Sequence, residues 1–225
     1  MQKLSSIEVS EICDELGEVS PKKVVQVNGG DIHSAWQMEF AKKKLFIKRN
    51  DRNKKFLKFE KYCLQKLRSY TNPKNLVVPE VIAYKNIQNI EFLISEWIDM
   101  QSLGQKNLGK GLGEMHLNST KSNPKKFGCP VEGFIGLTDQ KKGWEDNWID
   151  CFLNLRIIPQ LSILKPNFLD KEIINIVKDK IKSELLHHKP INTLVHGDLW
   201  SGNIGIENSG RGVIFDPASW WADNE

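Results

Sequence analysis

The chain has 225 residues, 40% of them hydrophobic and 27% charged, with a formal net charge of +4 at pH 7; such a composition suits a soluble globular protein with room for one large domain or two lobes. The lysine-rich stretches (42–44, 54–61 and 121–126) are scattered among acidic segments, with no basic stripe interleaved with aromatics, so no nucleic-acid partner is expected. Four widely separated cysteines without a CxxC pair argue against a zinc site or disulfide framework, and no apolar run approaches the ~20 residues of a membrane span, so a cytoplasmic protein without a membrane partner is expected.

Ser5 to Leu16 reads as a short helix, with Ser5 and Glu8 at capping-box spacing and Gly17 ending it. Two alternating runs follow, Val24 to Val27 and Ala35 to Phe40, joined by "NGGDIHS", and then a short apolar run from Lys44 to Lys48. Three strands linked by tight turns predict an antiparallel sheet. Asn53 to Tyr70 has helical periodicity, and Val81 to Tyr84 and Glu91 to Glu96 read as two more strands. From Met100 the pattern turns helical, with helices expected over Leu103–Asn118, Trp144–Leu161 and Lys171–His188. In the last of these, Ile173, Ile174, Val177, Ile181, Leu185 and Leu186 share one face. The expected fold is α+β: a small antiparallel β lobe with one long helix over residues 1–98, and a larger, mainly helical lobe over 99–225.

Polar residues follow apolar runs at several points. In "VNGGDIHSA", Gly29 and Gly30 would let backbone amides approach phosphates, although Gly-Gly also makes ordinary hairpins. Lys48 closes "KLFIK", and Glu60 lies twelve residues on in a helix. A lysine there can meet a phosphate as a point charge, with the glutamate fixing its position; a surface lysine and a surface glutamate are the alternative. Glu96, Trp97 and Ile98 close "FLISEWI", where exposed backbone groups could read an adenine edge or simply run into a loop.

"LVHGDLWSGNIG" and "VIFDPAS" hold the densest chemistry. Asp198, Asn203 and Asp216 each follow a strand-like segment. Together they supply a carboxylate to take a hydroxyl proton, and an amide oxygen and second carboxylate for Mg²⁺, which prefers hard oxygen ligands. His196 could hold the loop through a ring N–H. Trp144 and Trp148, spaced i and i+4, are read as a buried helix stripe, whereas Trp200, beside Asp198, is a candidate substrate contact.

"HGDLWSGN" followed by "VIFDPAS" resembles the signature of the fructosamine kinase (ketosamine-3-kinase) family, within the aminoglycoside-phosphotransferase and protein-kinase-like superfamily. "FGCPVEGFIGLTDQKKGWEDNWIDCFLNLRIIPQL", "LGEMHL" and "LFIK" extend the resemblance to about residues 5–225. It implies a two-lobed kinase-like fold and ATP- and Mg²⁺-dependent phosphorylation of the 3-hydroxyl of a small-molecule or protein-bound ketosamine. The phosphorylated adduct then falls apart, which amounts to deglycation. By resemblance Asp198 is the catalytic base, Asn203 and Asp216 hold Mg²⁺, Lys48 and Glu60 anchor phosphate, Gly29 and Gly30 form the phosphate loop, and Glu96–Ile98 is the adenine hinge. Two departures stand out. Asp31-Ile32-His33 replaces a common Cys-Ile-Asn, and the chain stops where the family continues, so the helices that would wall the substrate cleft are expected to be missing. The alternatives are a kinase of the same superfamily acting on an aminoglycoside or choline, and a non-catalytic nucleotide- or sugar-binding module.

Overall fold

The structure is a computed structural model that describes residues 3–27, 32–101, 105–164 and 171–224. Helix α1 (Ser6–Leu16) begins at Ser5, whose hydroxyl accepts the Glu8 amide while the Glu8 carboxylate accepts the Ser5 amide; Gly17, at φ 65°, ends it. Strands β1 (Lys23–Val27), β2 (Ser34–Glu39) and β3 (Lys44–Asn50) follow, then helix α2 (Phe56–Tyr70), the short β4 (Leu76–Val77), β5 (Val81–Ile87) and β6 (Ile90–Glu96). Five of these strands form one antiparallel sheet in the order β1-β2-β3-β6-β5.

The two faces of that sheet have separate tasks because strand side chains alternate. Leu45, Ile47, Phe92 and Ile94 pack with Ile12 and Cys13 of α1 and with Trp36 and Met38. The residues between them, including Lys48 and Leu93, face the α2 side. Leu57, Leu64 and Leu67 of α2 share a core with Leu93 and with residues from the second half of the chain, among them Met115, Leu194, Ile206, Ile214 and Trp221. Apolar packing thus crosses residue 98 without a break.

The second half contains β7 (Met100–Gln101), α3 (Lys106–Thr120), β8 (Phe127–Cys129), β9 (Gly133–Ile135), β10 (Thr138–Gln140) and β11 (Gly143–Glu145). Next come α4 (Trp148–Phe152), a π-helical turn (Leu153–Ile157), α5 (Ile158–Ile163) and α6 (Lys171–Leu185). The last strands are β12 (Asn192–Val195), β13 (Ile204–Glu207), β14 (Gly212–Ile214) and β15 (Trp220–Asp223). One four-stranded sheet runs β11-β8-β15-β12 and another β4-β14-β13-β7, in which β4 lies parallel to β14.

Two expectations need correction. The helix predicted over Trp144–Leu161 begins only at Trp148, and Trp144 is instead on β11, paired with Gly128 and 37% exposed. The predicted Trp144–Trp148 stripe therefore does not exist: Trp148 alone packs inward, against Phe127, Phe152 and Trp220. Gly128 and Gly143, both at positive φ, are the physical reason, since they fold this segment back as a strand pair. Helix α6 forms where predicted, but none of its residues is buried: Ile174, Val177, Ile181 and Leu185 are partly covered, and Ile173 is exposed. Among the described residues no helix is long and apolar enough to cross a membrane.

Candidate active site

Lys48 is buried at the middle of the sheet, on the face toward α2. Its Nζ donates to both oxygens of Glu60 at 2.9 Å and to Oδ1 of Asp216 at 2.5 Å. Burial opposes the charged ammonium, but Asp216 and Glu60 outweigh it and raise the Lys48 pKa, so the lysine stays protonated. Burial pushes the Glu60 carboxyl up to about 7 against the pull of Lys48, while Asp216, despite its own burial, is held below the usual carboxylate range by Lys48. One ammonium thus serves two carboxylates. Asp216 adopts φ 56°, a left-handed conformation uncommon for a residue with a side chain, at the turn that follows β14.

The loop after β12 is fastened to the segment after β14. His196 is buried; its Nε2 donates to the Phe215 carbonyl at 2.9 Å, and its Nδ1 accepts the Asp198 amide at 3.3 Å. These roles select the neutral Nε2–H tautomer, and burial pushes the ring pKa down to about 4. The Ala218 amide donates back to the His196 carbonyl at 2.9 Å. Between them Gly197 sits at φ 84°, where an added Cβ would lie 2.0 Å from the Ala218 oxygen. Asn203 Nδ2 donates to the Asp198 carbonyl at 2.8 Å and to Asp198 Oδ2 at 3.1 Å, and the Phe215 amide donates to the Asn203 carbonyl at 3.1 Å.

Two cavities of about 240 Å³ each meet at this point. The first is largely apolar, walled by Phe46, Leu64, Trp97, Ile98, Val213 and Phe215. The second is walled by Asp198, Asn203, Trp200 and Phe134 among others. Among the described residues they share only His33, Lys48, Glu60 and Asp216. Glu96, Trp97 and Ile98 all line the first cavity; the Glu96 amide donates to the Glu80 carbonyl at 3.0 Å and the Trp97 amide to the Lys44 carbonyl at 3.3 Å. Trp200 is 57% exposed, its ring lying over Gly202. His196 braces the loop from behind and lines neither cavity. Gly29, Gly30 and Asp31 lie outside the described residues.

Two further residues at this junction carry no role in the sequence reading, although His33 is named there in the Asp31-Ile32-His33 departure. His33 packs on Phe56 with ring centroids 5.5 Å apart, and burial pushes its pKa down to about 4. Phe134 packs against Phe56 at 4.4 Å. His33 lies three residues from Gly30 in the candidate phosphate loop, whereas Phe134 has no local signal and reaches the cavity through tertiary packing.

Among the described residues no group of three or more His, Cys, Asp or Glu converges on a metal position. Asn203 and Asp216 nonetheless both face the second cavity, and the contact from Asn203 Nδ2 to Asp198 turns the amide so that Oδ1 is the end away from Asp198. An amide oxygen and a carboxylate suit a hard cation that completes its shell with phosphate and water, as Mg²⁺ does. The residues present fit that ion.

The family model described as "Fructosamine kinase" matches residues 5–225. A protein of Vibrio parahaemolyticus named "Probable ketoamine kinase" is 31% identical over 206 residues, covering 89% of this chain and 69% of the relative. The crystal structure of a "Putative fructosamine-3-kinase" from Haemophilus somnus superposes with a TM-score of 0.80 at 22% identity, covering 96% of this chain and 72% of the other. An aminoglycoside phosphotransferase, APH(4)-Ia, solved with AMP-PNP and hygromycin B, superposes with a TM-score of 0.63 at 14% identity, covering 97% and 73%.

Proposed function

The chain belongs to the fructosamine kinase family and is an ATP-dependent phosphotransferase, and from that premise we propose that it transfers the γ-phosphoryl group of ATP to the 3-hydroxyl of a ketosamine. The observation carrying this reading is the junction itself: Asp198 and Asn203 line one cavity, and Lys48, Glu60 and Asp216 stand where it meets a second, largely apolar one. The division at residue 98 is read functionally, with residues 1–98 carrying most nucleotide contacts and 99–225 the acceptor.

In this mechanism the adenine enters the cavity beside Phe46 and Leu64 and meets the backbone of Glu96–Ile98. The amides of Glu96 and Trp97 already donate within the protein, which leaves the Ile98 amide, with a carbonyl of the segment, to read the base edge. Lys48, protonated and aimed by Glu60, binds phosphate oxygens. Asn203 and Asp216 would hold Mg²⁺, which supplies charge neutralisation on the phosphates when bound. Asp198 accepts the proton of the sugar hydroxyl as the oxygen bonds to the γ-phosphorus and the bond to the bridging oxygen of ADP breaks. His196 and Gly197 hold Asp198 in place, and Trp200 offers an aromatic face to the ketosamine. Phosphorylation at that position would lead to loss of the sugar and hence deglycation.

Coupled ATP turnover with Mg²⁺ against ribulose-lysine, fructose-lysine and kanamycin tests the reading. Turnover on a ketoamine alone, reduced about 10²-fold or more by Asp198→Asn, is expected. Turnover on kanamycin alone would reassign the acceptor, and an unimpaired Asp198→Asn would remove the proposed base.

A further inference from the structure

Helix α2 has no N-cap of its own. Lys55 occupies the cap position and makes no side-chain hydrogen bond to the first turn, although the leading amides of a helix lack partners within it. Glu91, buried on β6, takes that place. Its Oε2 accepts the Leu57 amide at 3.3 Å and its Oε1 accepts the Lys58 amide at 3.2 Å. The Tyr84 hydroxyl and Asn50 Nδ2 also donate to this carboxylate, each at 2.6 Å. The four donor groups are uncharged, so the positive end of the helix supplies the countercharge. Asn50 in turn donates to the Lys54 carbonyl at 2.7 Å and accepts the Arg52 amide at 3.0 Å, which ties down the 51–55 connection.

Strand β3 therefore reaches α2 twice from one face. Lys48 reaches it directly through Glu60, and Asn50, two residues on, reaches it through Glu91. Glu60 stands two residues beyond Lys58, about 3 Å along the helix axis. A carboxylate that grips the amides of Leu57 and Lys58 fixes both the axial place and the rotation of the turn that carries Glu60.

We infer that Glu91 is a positioning residue for phosphoryl transfer, acting through Glu60 on Lys48. This rests on the reading of Lys48 and Glu60 as the phosphate anchor. A misplacement of about 1 Å can cost as much as ~10²-fold in rate, so the grip on α2 bears on turnover as well as on stability.

The test is a double-mutant cycle in the 225-residue chain, using Glu91→Gln, Glu60→Gln and both together, with turnover and thermal melting read on each. The Glu91→Gln change puts an NH₂ group where the helix amides need acceptors. It should lower kcat about tenfold or more with Glu60 present, yet less than about twofold in the Glu60→Gln background. The melting temperature should drop by a similar few degrees in both backgrounds. An equal fold-loss of kcat in both backgrounds would show a structural role only and overturn the inference. If Glu91→Gln does not fold, Tyr84→Phe, which removes one donor and leaves the helix end occupied, should repeat the pattern at smaller amplitude.

Hydrogen exchange gives an arm independent of activity. Glu91→Gln should speed exchange at amides 57–61 and leave 64–70 unchanged, and a uniform rise or no change would also overturn the inference. If the wild-type chain turned over no acceptor, the functional reading would fail, while the exchange pattern would still decide whether Glu91 sets the turn carrying Glu60.

Discussion

At the scale of single residues, the loop that presents Asp198 depends on Gly197. With φ at 84° and the Ala218 oxygen 2.0 Å from where a Cβ would stand, Gly197→Ala must strain the backbone or part the two segments. It should destabilise by more than about 1 kcal/mol and lower turnover as well, because Asp198 is the next residue; full activity with unchanged melting would contradict this. His196 makes a prediction in pH. Its folded pKa of about 4 lies below the ordinary 6.5, so the unfolded chain binds the proton first. The contribution is complete above pH 6.5 and is lost as pH falls from there toward 4, amounting to about 3 kcal/mol. Urea unfolding at pH 7.5, 6 and 5 should trace this decline, and His196→Gln should make it shallower, His33 leaving a decline of its own over the same window. Asp198, Asn203 and Asp216 were legible in the sequence because each follows an apolar run. The contact from Lys48 to Asp216 spans 168 residues, and no local pattern announces it.

At the scale of elements, local chemistry reads out where it is sufficient by itself. Ser5, Glu8 and Gly17 carry the start and stop of α1 within a single short stretch, and the helix forms there. Ser5→Ala should cost about 1 kcal/mol and leave turnover unchanged, since α1 packs on the sheet face away from the cavities; a loss of activity would mean that the sheet transmits strain from one face to the other. Helix α2 is the opposite case. Its periodicity was readable, but its cap comes from Glu91, on a strand 34 residues beyond Leu57, so its start could not be located from Lys55. The segment around Trp144 misled because the aromatic spacing mimicked a helix, while Gly128 and Gly143 had already committed it to a strand pair.

At the scale of the molecule, one apolar core joins α2, the five-stranded sheet and the strands after residue 190. A nucleotide seated in the first cavity would touch both halves of that core. ATP or ADP with Mg²⁺ at a hundredfold excess over Kd should therefore add about 2.7 kcal/mol, or roughly 5–10 °C in melting temperature for a chain of this size. Lys48→Met should abolish the shift, and an equal shift in that variant would remove Lys48 from the phosphate site.

The two cavities share four of the described residues and otherwise have separate walls. In the proposed mechanism Asp198 takes the hydroxyl proton rather than the phosphoryl group, and the Lys48 ammonium, held between Glu60 and Asp216, is no nucleophile, so the sugar oxygen receives the phosphoryl group directly from ATP. On that reading donor and acceptor are bound together, each in its own compartment. Initial-rate plots against ATP at several acceptor concentrations should then give intersecting lines, with ADP competing against ATP but not against the sugar. Parallel lines would mean that the phosphate rests on the enzyme in between.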